Sequence, residues 1–370
     1  MTAGEAAPGE PAAPGAAGPP GGRAPAKKGG PLRHVVTLLK IAVAVGLIYY
    51  LVTSGKVSTE VLRKALDSPG AIVFSIAAIG ATFLCAILRW WVLLAAIDLA
   101  LPLWTTTKLT MIGGFFNTFM PGAVGGGAFK MYYVVEHAPP GKRVEAATTV
   151  AVDRVIGLAA MFILVAIAVT AAYLLGQGDE KVDKLVQAVA GKLGPLGTPF
   201  AVAALVGGVL SLGLFHPGVR DWAIVQRIRR RVPGVAVGER VILVFFRSLR
   251  SPWPMFLAVL LSCASHMATV GCFYAMGRAI GETKLSFWQY VMVVPIGLMV
   301  NAIPGPPSGI GLGEAAYDYL FAVMEAAPGM GGNICVLWRI VTFAWNLVGG
   351  VAYVLHRRGE ADPALLQSEG

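Results

Sequence analysis

Apolar residues run along this chain in stretches long enough to cross a bilayer, and two of the stretches are broken in the same way. Unbroken runs occupy about residues 34–53, 71–97, 145–175, 199–216, 252–278 and 333–355. A spanning helix needs roughly twenty residues, so the pattern predicts six full spans. Two further apolar runs, 106–136 and 287–326, are interrupted. Phe115–Lys130 reads FFNTFMPGAVGGGAFK and Leu298–Glu314 reads LMVNAIPGPPSGIGLGE. Each has an Asn, then Pro-Gly three or four residues later, a glycine-rich turn and a charged residue. Proline removes an amide donor and glycine accepts unusual dihedrals, so a helix stops there. Freed backbone groups cannot face lipid; they must be buried in protein or line a wet cavity. Each broken run has room for two short helices and a turn.

Positive charge orients the spans. Arg23, Lys27, Lys28 and Arg33 place the N-terminus on the cytoplasmic side. The loop 217–250, with eight arginines against Asp221 and Glu239, belongs on that side too, as does His356-Arg357-Arg358. If each broken run enters and leaves on one face, as a re-entrant hairpin, every one of these clusters falls on the cytoplasmic side. Two full crossings per broken run satisfy the charges equally. Each half then reads span, span, broken hairpin, span, over about 34–175 and 199–355, and the halves start on opposite sides. The predicted fold class is an all-α polytopic membrane protein with six full spans and two broken re-entrant hairpins in an inverted repeat. Gly/Pro-interrupted segments at matching places in two halves point to a transport site.

Composition agrees. The chain has 370 residues, 56% hydrophobic and 14% charged, against about 25% charged in soluble domains. No polar stretch is long enough for a soluble catalytic domain, so residues 31–358 form a single membrane domain. It sits between a disordered Ala/Pro/Gly tail (1–30) and a short C-terminal tail (359–370). The first apolar run begins after Arg33 and lacks a signal-peptide cleavage pattern. Residues 178–192 have the character of a short amphipathic surface helix. The net charge of +10 lies mostly in loops, which suits topology and anionic lipid and not nucleic acid. Cys85, Cys263, Cys272 and Cys335 lie in apolar runs without metal-ligand or CxxC spacing, so no metal or cofactor is expected. Small-residue spans, such as Gly349-Gly350-Val351-Ala352-Tyr353, suit packing within the bundle or against a second copy.

Ionisable residues inside apolar spans are costly and point to function. The candidates for a substrate-binding site are Asn117, Lys130, Asp153, Arg154, Asn301, Glu314 and Arg339. Arg89 has two readings: a functional cation, or a side chain snorkelling beside the interface aromatics Trp90 and Trp91. Asp153 has Lys130 and Arg89 as prospective partners, and Arg339 has Glu314 or Asp318. His266 reads as a hydrogen-bonded core residue, and Asn117 and Asn301 as caps of broken helices. Several cations at membrane depth suit a phosphate, because guanidinium forks and helix N-termini both bind its oxygens.

Taken together, FFNTFMPGAVGGGAFK, VDRVIGL (152–158), IPGPPSGIGLGEAA (303–316), WRI (338–340) and RW (89–90) resemble the lysylphosphatidylglycerol synthase transmembrane-region family. This region also forms the flippase half of bifunctional multiple-peptide-resistance proteins. The resemblance spans about residues 34–355 and implies a polytopic inner-membrane protein that translocates or modifies polar lipids. It departs from the usual pattern at Gly127, where an Asp is common, and at Lys130, where an Arg is common. No aminoacyl-transferase stretch follows residue 358, so the synthase activity is not carried over.

The first functional reading is a transporter that moves an anionic, phosphate-bearing lipid or lipid-linked substrate across the inner membrane, with membrane lipids as its partners and both termini cytoplasmic. A small-solute or ion transporter uses the same fold logic. A membrane enzyme acting on a lipid-linked substrate is the third reading, but no nucleophile elbow, metal spacing or phosphate loop supports it. The sequence also lacks an ATP-binding motif, which leaves a gradient or passive exchange as the driving force.

Overall fold

The structure, a computed structural model, describes residues 59–99, 101–119, 124–139, 141–174, 180–189, 191, 252–302 and 309–360. The expected spans 34–53 and 199–216 and the arginine-rich loop 217–250 lie outside the described residues. Among the described residues all regular structure is helical: α1 (Thr59–Leu66), α2 (Pro69–Ala95), α3 (Leu103–Phe119), α4 (Val124–His137) and α5 (Arg143–Leu174). Then come α6 (180–189), α7 (Pro252–Ala279), α8 (Phe287–Ala302), α9 (Leu312–Val323) and α10 (Met330–Glu360).

Helices α2, α5, α7 and α10 each contain a segment long and apolar enough to cross a membrane. They match the expected spans 71–97, 145–175, 252–278 and 333–355 to within a few residues, apart from the longer C-terminal end of α10. In the two broken runs the described residues form the helix pairs α3–α4 and α8–α9; residues 120–123 and 303–308 lie outside the described residues. Pro69 starts α2 at a position that needs no amide donor. Gly281, with φ of 93°, ends α7, and the Glu282 amide returns to the Gly277 carbonyl at 2.8 Å. The buried Glu282 carboxylate then accepts the amides of Lys284 (2.7 Å) and Leu285 (3.0 Å) and the Tyr290 hydroxyl (2.9 Å). These bonds fix the turn into α8.

The helices pair reciprocally. Helix α2 packs along α7; α3 packs on α10, while α8 packs on α5; α4 packs on α5, while α9 packs on α10. Exchanging α2–α5 for α7–α10 reproduces the same pairings. Along the α2–α7 seam the Thr82 hydroxyl lies within hydrogen-bond distance of the Ser265 carbonyl (3.2 Å) and the Thr269 hydroxyl (3.3 Å). Small and hydroxylated residues allow close approach and supply polar links between helices in lipid. Helix α10 holds α2 and α3 together. Trp345 donates to the Ile76 carbonyl (2.9 Å), and the Asn346 amide donates to the Thr118 hydroxyl (2.9 Å). Large apolar side chains remain exposed on these helices, among them Phe74 and Leu84 on α2, Phe162 and Ile167 on α5, and Val348 and Val351 on α10. Trp104, Trp253 and Trp288 are also exposed, as expected where protein meets lipid headgroups.

The short amphipathic helix expected over 178–192 is α6. Lys184 and Lys181 reach Glu325, in the α9–α10 connection, at 3.2 and 3.7 Å. The hydrogen bond from Lys184 holds the Glu325 carboxyl below its ordinary range. That link is present above the ordinary carboxylate pKa and is lost as pH falls through the lowered value.

Close approach of α3 and α10 depends on Gly349, where an added Cβ would run into the Met111 carbonyl, while Gly70 has nothing within 4 Å. Gly349→Ala is expected to cost about 1–3 kcal/mol, the usual range for forced overpacking. In thermal unfolding of the detergent-solubilised protein this variant melts earlier than wild type. Gly70→Ala leaves the midpoint unchanged or raises it.

Candidate functional site

Helices α2, α3, α4, α5, α7 and α10, with the end of α8, line an open cavity of about 370 Å³. One wall carries charge. Helix α2 brings Arg89, α4 brings Lys130 and α5 brings Asp153, all buried. Arg89 donates from Nε to Asp153 Oδ1 at 2.7 Å and from Nη1 to the Ser262 hydroxyl at 2.9 Å. Lys130 donates to Asp153 Oδ2 at 3.5 Å and lies 3.8 Å from the centroid of the Trp90 ring. Trp90 is fully buried, and its indole N–H donates to the Thr149 hydroxyl at 3.1 Å. Arg154, the next residue on α5, also lines the cavity but is exposed, with its guanidinium next to Gly127. Arg89, Lys130 and Arg154 against Asp153 leave a formal surplus of two positive charges in the lining.

The rest of the wall is small or polar. Gly113, Gly114 and Gly126 bring backbone to the surface of the cavity. Gly126 is obligatory there, because a Cβ would strike the Gly113 carbonyl. Beside the Arg89 guanidinium His266, with its Nε2 carrying the proton, donates to the Gly157 carbonyl at 3.0 Å. Three buried polar atoms of the lining, Thr110 Oγ1, Asn117 Oδ1 and Thr342 Oγ1, have no hydrogen-bond partner among the described residues. Buried polar groups are normally satisfied, and no described residue satisfies these three.

The residues expected from the second broken run gather beside the cavity and do not line it. Glu314 accepts the Gly311 amide at 2.6 Å through Oε2 and the Arg339 Nε–H at 2.9 Å through Oε1. Arg339 Nη2 donates to Asn301 Oδ1 (3.1 Å) and the Gly309 carbonyl (3.0 Å). Gly309 and Gly311 have φ of 66° and 89°, a region that glycine enters without strain. Gly313 leaves room for Asn301 and Arg339 to meet above it. Asp318, offered as another partner for Arg339, instead accepts the Gly332 amide at 2.6 Å in the first turn of α10. This cluster ties α8, α9 and α10 together. Its neighbours Ala302 and Trp338 do reach the cavity.

Of the residues expected from sequence, Asn117, Lys130, Asp153 and Arg154 therefore meet at the cavity, and Asn301, Glu314 and Arg339 form a latch next to it. Arg89 does not snorkel; it is a central member of the charged wall. The interface-aromatic reading suits Trp91, which is exposed, and not Trp90. The hydroxyls of Thr82, Ser265 and Thr269, which also line the cavity, carry no distinctive sequence signal. One available signal was the spacing: thirteen residues separate Asn117 from Lys130 and also Asn301 from Glu314.

The sequence profile of the lysylphosphatidylglycerol synthase TM region matches residues 37–350, and the chain belongs to that family. It is a multi-pass membrane protein. Compared with curated proteins, the chain matches none.

Removing the one carboxylate of the charged wall leaves Arg89 and Lys130 facing each other across a buried site. Asp153→Asn is expected to destabilise the protein by about 3–5 kcal/mol, as when one partner of a buried ion pair is removed. Thermal unfolding in detergent checks this. Adding Lys130→Met to Asp153→Asn removes one stranded cation and recovers part of the loss.

Proposed function

We propose that this member of the family moves an anionic, phosphate-bearing lipid or lipid-linked substrate across the membrane by passing its headgroup through the cavity. The observation that carries the reading is the cavity wall: two surplus positive charges together with buried polar atoms that lack partners. Such a wall favours a headgroup with both negative charge and hydrogen-bonding groups. Acyl chains would stay in the bilayer against the exposed apolar side chains of α2, α5 and α10.

In this reading the protein sits in the inner membrane with both termini cytoplasmic, and spans 34–53 and 199–216 complete six crossings. The pairs α3–α4 and α8–α9 are re-entrant hairpins entering from opposite faces. The reciprocal helix pairings support an inverted repeat. Exchange between two packings of the repeats would open the cavity to either side in turn. The Glu314–Arg339–Asn301 latch holds the second hairpin in one of those packings.

Reconstituted proteoliposomes carrying fluorescent phosphatidylglycerol test this. The wild type transfers the lipid between leaflets faster than protein-free vesicles do. Glu314→Gln unties the latch and returns transfer to the protein-free background, although the protein still inserts. No lipid transfer by folded wild type, with uptake of a small anion instead, would replace lipid translocation by solute transport.

A further inference from the structure

Arg154 stands apart from the other two cations of the cavity. Arg89 is engaged by Asp153 and Ser262, and Lys130 by Asp153 and the Trp90 ring. Unlike them Arg154 is an exposed residue; it lines the cavity, and among the described residues its guanidinium makes no hydrogen bond or ion pair. It rests on bare backbone. A Cβ built at Gly127 would lie 3.2 Å from Arg154 Nη2, 3.5 Å from Nε and 3.6 Å from Cζ. Packing requires the neighbouring Gly126, whose Cβ would strike backbone, but the atoms nearest Gly127 are all the mobile end of an arginine. Backbone space therefore does not demand glycine at 127. What glycine does there is leave the guanidinium donors unclaimed.

A second observation marks the same cavity as a ligand site. Thr110 is about nine-tenths buried, lines the cavity and has no partner for its hydroxyl among the described residues. Asn117 Oδ1 is also buried without a partner, and the Cβ of Asn117 lies 2.9 Å from where a Gly126 Cβ would be. The glycine pair 126–127 thus has an unclaimed acceptor beside one residue and an unclaimed guanidinium beside the next. That arrangement suits a phosphate carrying a hydroxyl or amine close by, with the phosphate on the guanidinium fork.

We propose that Arg154 is the anion-binding group of the cavity and that Gly127 is a specificity-determining position, keeping that group free for the phosphate of the ligand. The proposal rests on the cavity being the ligand site of the translocation reading. A carboxylate at 127 would pair with Arg154, occupy the fork and lower the positive surplus from two to one. The isosteric amide would occupy the same space without the charge.

The test is direct binding by the full chain in detergent. Dihexanoyl phosphatidylglycerol and, separately, inorganic phosphate are titrated against wild type, Gly127→Asp, Gly127→Asn and Arg154→Gln, read by tryptophan fluorescence, since Trp338 lines the cavity. Wild type binds the short-chain lipid. Gly127→Asp and Arg154→Gln weaken binding about tenfold or more, a loss of the size expected for one charge-assisted contact. Gly127→Asn stays much closer to wild type. Equal weakening by Gly127→Asp and Gly127→Asn would show that space and not charge decides, and would overturn the proposal. Unchanged binding by Gly127→Asp and Arg154→Gln would overturn it while leaving the lipid reading intact. Binding of inorganic phosphate alone, with the same dependence on residue 127, would keep the anion subsite and remove the lipid reading. If Gly127→Asp does not fold, Arg154→Gln decides between these outcomes. No binding of either probe by folded wild type overturns the subsite.

Discussion

Asp153 is the counter-charge on which the cavity depends. Two cations from two other helices, Arg89 on α2 and Lys130 on α4, converge on its two oxygens. A buried charge is tolerated only when it is paired and hydrogen-bonded. The carboxylate therefore does more than neutralise: it fixes where α2, α4 and α5 meet. The Trp90 ring supports Lys130 from the other side, so the ammonium is held between a carboxylate and a π face. With those contacts made, two of the three cations are committed to the architecture.

The second half of the chain repeats the device with the signs exchanged. Lys130 follows the three glycines, 125–127, that open α4, and pairs with Asp153 on the next long helix; Glu314 follows the turn 309–311 and pairs with Arg339 on the next long helix. In both halves an Asn lies thirteen residues before the first charge. The outcome differs, however. Asn301 accepts a hydrogen bond from Arg339, and Glu314 satisfies a backbone amide of its own turn. Asn117 Oδ1 has no such bond among the described residues. Asn301 Nδ2 also lacks a partner among the described residues, so the halves differ at the Asn oxygen: the second engages it in the latch and the first leaves it open.

Much of the helical order could be read from sequence because its causes are local. Pro121-Gly122 and Pro304-Gly305 punctuate apolar runs, and Pro69 and Gly281 mark helix ends that any reader of dihedral preferences would find. The ends of α2, α5 and α7 follow from these signals and from apolar length. The pairing of charges was only half legible. Arg89 and Asp153 are 64 residues apart, and their contact depends on α2 crossing α5, which no local pattern specifies. The ambiguity over Arg89 had the same origin, since Arg-Trp-Trp at the end of an apolar run describes an interface as well as a buried ion pair. Only the depth of Trp90 in the assembled bundle separates the two.

Helix α10 joins the latch to the cavity. Successive residues on a helix are rotated by about 100°, so neighbours face different surroundings. Trp338 and Thr342 accordingly line the cavity, while Arg339 between them reaches Asn301, Gly309 and Glu314 in the latch. The same helix meets α3 through Gly349 and Asn346. A displacement of α8–α9 that strained the latch would act on α10, and through it on both the cavity wall and the first broken pair. Coupling of this kind needs no relay of mobile side chains. It follows from one rigid helix carrying, on different faces, a wall of the proposed headgroup site and the fastening of the α8–α9 pair.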